Sequence, residues 1–211
     1  MEDMEFILLK KLAKMTVTQW VMVGVAAAAV VGLVILLIVQ SKNKKPKKVD
    51  VRSLTFGAMC ICISFILSYI KLFSAPQGGS VTLASMLPLL WYSNRYGWKK
   101  GVIAGLAYGL LQFIQKPEIT HWAQVLIDYP LAFAALGLAG LVRPLPLGVV
   151  IGCAGRLLFH TISGAIFFSE TLNLNAWWVS FVYNGWYMLF ETIICVVLSF
   201  PLQAVVKRNK L

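Results

Sequence analysis

The sequence predicts an all-α, polytopic membrane protein, and three observations predict it. Hydrophobic residues fill 59% of the 211 positions and charged residues only 13%, whereas a soluble domain carries roughly a quarter of its residues charged. Apolar runs recur along the chain, most near the length of about 20 residues that a helix needs to cross a hydrocarbon core about 30 Å thick. The runs do not alternate in polarity as the strands of a membrane barrel must. The net charge of +11 is concentrated between the apolar runs instead of striping one face, which points to membrane topology and away from nucleic acid.

The first run, Val17 to Val39, is too long for a signal-peptide core and lacks a small-x-small cleavage site before Gln40, so it reads as a retained helix. Residues 1–40 therefore form an N-terminal extension with an extra transmembrane helix. Residues 41–52 form a basic cytoplasmic linker, carrying Lys42, Lys44, Lys45, Lys47, Lys48 and Arg52. Residues 53–211 hold six more segments, at Leu54–Phe73, Ser80–Asn94, Val102–Gln115, Trp122–Leu141, Leu147–Phe168 and Ala176–Leu202. The second is short and contains Pro88, which is tolerable at membrane depth only where protein or a water-filled cavity surrounds it.

Arg95, Lys99, Lys100, Arg143, Lys207, Arg208 and Lys210 join the linker on alternate loops. That bias puts this side, and the C-terminus, in the cytoplasm; Lys10, Lys11 and Lys14 oppose it but are outnumbered. Gly101, Gly105 and Gly109 form a small-xxx-small ridge, as do Gly148 with Gly152 and Ala58 with Cys62, and such ridges let helix backbones approach closely in lipid. Cys60, Cys62, Cys153 and Cys195 all fall inside apolar segments without zinc spacing, so they read as small buried hydrophobes and no metal is expected.

Ionisable residues at membrane depth are costly and are functional candidates by default. Four stand out: Asp128, Arg156, His160 and Glu191. At about 1.5 Å per residue, Asp128 lies roughly 9 Å below the outer surface, Asn184 roughly 12 Å below it, and His160 roughly 20 Å above the inner one. An acid, an imidazole and an amide from three helices thus share one level and suggest a pocket open to the outside. By the same measure Arg156 and Glu191 meet lower down, roughly 13 Å above the inner face and 22 Å below the outer one. A structural ion pair is the first reading of these two, because an unpaired buried charge is costly; a proton-coupled role for Glu191 is the rival.

Aromatic residues crowd the outer end, among them Trp122, Phe168, Trp177, Trp178, Tyr183, Trp186 and Tyr187. An interfacial belt accounts for some, and ring faces also hold cations. One acid, one imidazole and several rings suit a flat, cationic, hydrogen-bonding heterocycle. The loop Ala75 to Ser80, with Gly78 and Gly79, is either a plain turn or a lid over that pocket.

Residues 51–208 resemble the thiamine-specific S components (ThiT) of energy-coupling-factor (ECF) vitamin transporters. The resemblance is carried by Gly78-Gly79-Ser80-Val81-Thr82-Leu83, by the run from Asp128-Tyr129-Pro130 to Gly140, by Arg156 to Phe168 with His160 and Ser163-Gly164, and by Tyr183-Asn184. It implies a six-helix bundle in a bacterial cell membrane that binds thiamine near the outer face beneath a mobile first loop, here residues 74–80. Asp128 would stand for the acidic contact, one carbon shorter than the family's glutamate, His160 for the histidine and Asn184 for the amide. Tyr129, Gly164 and Tyr183 would complete the site. Phe168 stands where the family has a tryptophan, and Val179 where it has a tyrosine, so Trp122 and Trp178 are expected to supply rings. The implied partners are a transmembrane coupling subunit, docking on the Ala58–Cys62 ridge, and two ATPase subunits. Thiamine is the ligand, and no cofactor is implied.

The chain has no G-x-x-x-x-G-K-[ST] loop, so ATP-driven import needs ATPase partners. The alternatives are an S component for another vitamin, a stand-alone proton-coupled transporter using Glu191 and Arg156, and a membrane scaffold. An intramembrane hydrolase built on Ser163 and His160 is more remote, since both lie on one helix and no oxyanion motif accompanies them.

Overall fold

The computed structural model describes residues 50–75, 79–168 and 174–208, with side chains through 205. The extra helix of residues 1–40 and nearly all of the linker lie outside the described residues, as does Gly78.

The first described helix, α1 (Val51–Ser68), turns Ser53, Gly57, Cys60, Ser64 and Ser68 inward and leaves Leu54, Ile63 and Ile66 exposed. Small and hydroxylated residues inside with large apolar ones outside invert the pattern of a soluble helix. That arrangement suits a lipid-facing element, where close helix approach replaces the hydrophobic drive. Asp50 caps the helix by accepting the Ser53 N–H at 3.2 Å and pairs with Lys100 at 3.0 Å.

The expected first span stops five residues early. Lys71–Ser74 (β1) and Ser80–Thr82 (β2) form an antiparallel pair, so Ser74 and Ser80, at the two ends of the expected loop, are strand residues paired with each other. The expected second span is likewise divided: Ser80–Thr82 is strand, and only Leu87–Tyr96 (α2) is helix, with Pro88 in its first turn. Proline fits there because the first N–H groups of a helix have no internal partner. Helix α2 is only ten residues long and is surrounded by α1, α3, α4 and α5, the protein environment that a short span requires.

Gly97, at φ +92°, joins α2 to α3 (Trp98–Gln115). Then come α4 (Trp122–Leu141), α5 (Leu145–Phe167) and α6 (Leu174–Arg208). Among the described residues, α1, α4, α5 and α6 are long and apolar enough to span a membrane. The polytopic, helical class therefore holds, with the hairpin as its non-helical part.

Helix α4 is the irregular one. Its first turns are α-helical, Ile127–Leu131 form a π turn, and Ala135–Leu141 tighten to 3-10. Pro130 sits inside the π turn; proline lacks an N–H and its ring crowds the carbonyl four residues back, and the wider turn makes room for it. The glycine ridge of α3 lies against this backbone. A Cβ at Gly105 would stand 2.3 Å from the Phe133 carbonyl oxygen, and one at Gly109 2.5 Å from that of Tyr129. Gly148 and Gly152 of α5 likewise face the α4 backbone. Of the cysteines, Cys60, Cys153 and Cys195 are buried, whereas Cys62 is exposed.

Candidate functional site

One end of the bundle carries the hairpin, the end of α3, the start of α4, the end of α5 and the start of α6. A cavity of about 440 Å³ opens between these elements, within the range of small-molecule sites. Lys71, Lys116, Glu118, Phe168 and Asn175 line it towards that end, and Tyr108, Phe133, Arg156 and Glu191 also form its wall. Arg95, Lys99, Lys100 and Arg143 lie at the opposite end of the bundle, at the α2–α3 and α4–α5 joints.

Asp128 projects from the π turn of α4 and is the hub of the cavity wall. Its Oδ2 accepts from Gln124 Nε2 at 2.7 Å and from Ser163 Oγ at 2.8 Å, and its Oδ1 lies 3.0 Å from His160 Nδ1. The Asp128 side chain is 15% exposed and that of His160 12%. A carboxylate offers about four acceptor positions, so three bonds leave one for a ligand. Gln124 is itself fixed, because its Oε1 accepts the Thr120 N–H at 3.1 Å.

Helix α6 supplies the facing wall. Val179, Ser180, Tyr183, Asn184, Tyr187 and Glu191 line the cavity, at the spacing that puts residues on one helical face. Asn184 Nδ2 donates to the His160 carbonyl at 3.3 Å and to the Ser180 carbonyl at 2.9 Å, while Tyr187 OH donates to Asn184 Oδ1 at 2.7 Å. Gly164 admits this close contact, since a Cβ there would lie 2.2 Å from Ser180 Oγ. Asp128, His160 and Asn184, from three helices, thus meet in one hydrogen-bonded wall.

Glu191 does not pair with Arg156, and no salt bridge joins them among the described residues. Glu191, 2% exposed, accepts the Thr82 N–H at 3.2 Å, the Thr82 hydroxyl, and Ser85 Oγ at 3.3 Å. These three bonds tie the carboxylate to the hairpin and the turn after it. Arg156 instead donates from Nε to His160 Nε2 at 3.2 Å, sets Nη1 2.7 Å from Met86 Sδ, and stacks over the Phe133 ring at 4.2 Å. The depth argument matched heights along the helices but not the directions in which the side chains leave them.

The family model of the thiamine transporter protein (Thia_YuaJ) matches residues 54–210. The chain belongs to the thiamine transporter protein family. The thiamine transporter ThiT of Bacillus subtilis (strain 168) is 36% identical, over 59% of this chain and 74% of that protein. ThiT of Lacticaseibacillus paracasei is 26% identical, over 53% of this chain and 67% of that protein. A solved structure of ThiT from Listeria monocytogenes superimposes with a TM-score of 0.66 at 22% identity, covering 75% of this chain and 96% of that one; at that identity the likeness speaks for the fold. Membership makes this chain a multi-pass membrane transporter and not an enzyme, which sets aside the hydrolase reading. The geometry agrees, because Ser163 donates to Asp128 and both ring nitrogens of His160 are engaged.

Within this member of the family, Asp128, Tyr129, His160, Gly164, Phe168, Tyr183 and Asn184 all line the cavity, as do Gly79 and Ser80 of the hairpin. Trp122 and Trp178 do not. They are 63% and 65% exposed, on the outer faces of α4 and α6, and belong to the bundle's surface. The rings that line the cavity are Tyr108, Tyr129, Phe133, Phe168, Tyr183 and Tyr187. Tyr108, Phe133 and Gln124 escaped the sequence reading because each looks like ordinary helix filling. The signal that could have found them is spacing: Gln124 and Tyr129 flank Asp128 on one helix, and Tyr108 sits on the glycine-ridge helix that packs against that turn.

Gly79 is where the hairpin meets α6, since a Cβ there would lie 2.5 Å from the Tyr187 ring. Ala58 and Cys62 are both exposed on α1.

Proposed function

We propose that this chain captures thiamine in the cavity described above and delivers it to an ATP-driven ECF module. The observation that carries the reading is Asp128: a carboxylate set in a cavity lined by six aromatic rings, with one acceptor position unfilled, in a chain of the thiamine transporter family. A cationic ring gains both from the carboxylate charge and from the ring quadrupoles, and desolvation in the cavity strengthens both. Asn184 and His160 hold that wall in place, and the hairpin with Gly79 and Ser80 closes over the mouth as the lid. With the basic end of the bundle in the cytoplasm, as the positive-inside bias requires, the mouth faces outward. The exposed Ala58–Cys62 ridge is the docking face for the coupling subunit, and two ATPase subunits supply the energy.

Isothermal titration calorimetry of the full chain in detergent, without ATP or partners, tests the reading. Saturable thiamine binding that Asp128→Ala and His160→Ala remove supports capture. Saturable binding of another vitamin with none of thiamine would reassign the ligand. Uptake by the chain alone in vesicles, driven by a pH gradient and lost in Glu191→Gln, would favour the stand-alone transporter.

A further inference from the structure

An arginine on the wall of a cavity for a cation needs an explanation, and the hydrogen bonds of His160 provide one. A neutral imidazole has one donor nitrogen and one acceptor nitrogen, whereas the guanidinium is donor-only and an ionised carboxylate acceptor-only. His160 stands between the two. Its Nε2 faces the Arg156 Nε–H at 3.2 Å, so Nε2 is the acceptor; its Nδ1 faces Asp128 Oδ1 at 3.0 Å, so Nδ1 carries the proton and donates. Only the neutral, Nδ1-protonated ring satisfies both neighbours. An imidazolium would point a second N–H at the guanidinium.

We propose that Arg156 is a positioning residue that holds His160 as the neutral Nδ1–H tautomer, so that the charge of Asp128 is left for a cationic ligand. The charged groups around the ring are Asp128 from α4, Arg156 from α5 and, beyond Arg156, Glu191 from α6, with Tyr183 and Tyr187 of α6 on the same cavity. Over the whole cavity the carboxylates of Asp128, Glu191 and Glu118 are matched in number by the cations Arg156, Lys71 and Lys116. An imidazolium at His160 would add a positive charge beside Asp128 and oppose a cationic ligand. Arg156 is suited to the task because it is itself fixed by the Phe133 ring and Met86, and because a guanidinium offers donors only. The binding consequence rests on the proposed function, but the tautomer is read without ligand, so the two can fail separately.

The test is nitrogen-15 NMR of the full chain labelled at histidine. The chain has two histidines, and His121→Asn, outside the cavity, leaves His160 alone in the spectrum. A pyrrole-type Nδ1 with a pyridine-type Nε2 is expected. A proton on Nε2, with or without one on Nδ1, overturns the proposal. Arg156→Met removes the donor at similar length, and Arg156→Lys keeps the charge without the planar fork. In whichever variant folds, Asp128 still holds the Nδ1 proton, so the pyridine-type Nε2 signal is expected to give way to a protonated one and thiamine affinity to fall at least tenfold, more for Met than for Lys. A folded variant with weakened binding but an unchanged His160 signature would show that Arg156 only props the wall, and that outcome also overturns the proposal.

Discussion

Asp128 and Glu191 are two carboxylates on one cavity, the first half-buried and the second buried, and they do different work. Asp128 is held by side chains of α4 and α5 (Gln124, His160 and Ser163) and lines the cavity with its side chain 15% exposed. Glu191 also accepts three hydrogen bonds, but from the hairpin and the turn after it, through the Thr82 N–H and hydroxyl and the Ser85 hydroxyl, and it is 2% exposed. The first is rigidly placed and partly open, as a ligand contact must be. The second is sealed in protein and ties α6 to the hairpin, as a structural anchor must be. The number of donors does not set an acid's role; where they come from and how far the carboxylate stays open do.

The largest expected effect breaks the first half of that contrast. Asp128→Asn removes the charge with almost no change in shape, and thiamine affinity should fall at least a hundredfold, about 3 kcal/mol, as for loss of one partner of a buried charge pair. Calorimetry measures it, and a melting temperature within a few degrees of the parent shows that the loss is local. An affinity change below threefold would place the cation elsewhere.

Glu191→Gln tests the second half. It weakens the bonds to Thr82 and Ser85, so about 1–3 kcal/mol of stability should be lost, and hydrogen exchange at 71–74 and 80–82 should quicken. Affinity should fall less than in Asp128→Asn. If exchange in the hairpin is unchanged, Glu191 is not its anchor.

Gly105→Val asks whether the wall depends on the shape of α4. The new side chain would meet the Phe133 carbonyl, and such overpacking costs about 1–3 kcal/mol. A lowered melting temperature with weakened binding is expected, because the π turn that carries Asp128 follows α3. The smallest effect is expected from Trp178→Leu, which should leave affinity within twofold because Trp178 faces outward. A large loss there would return tryptophan to the site.

Much of this was legible in the chain itself. The bounds of α4 were read to the residue, and those of α5 within two, because long apolar runs register the thickness of the bilayer directly. The convergence of Asp128, His160 and Asn184 was legible too, since a polar residue at membrane depth is conspicuous against lipid. The hairpin was not: Lys71–Ser74 and Ser80–Thr82 continue the apolar runs beside them, and residues 80–94 therefore read as one segment. The Arg156–Glu191 pair was inferred from depth alone, and depth is one coordinate of three.

The sequence by itself determined that this chain lives in lipid, where its spans lie and which polar groups had to be sheltered, because each follows from the cost of moving a residue between water and hydrocarbon. Only the tertiary structure decided which partner sheltered each charge. A carboxylate accepts equally from arginine, histidine, serine or a backbone N–H, and the choice is fixed by how the helices turn about their axes when they pack.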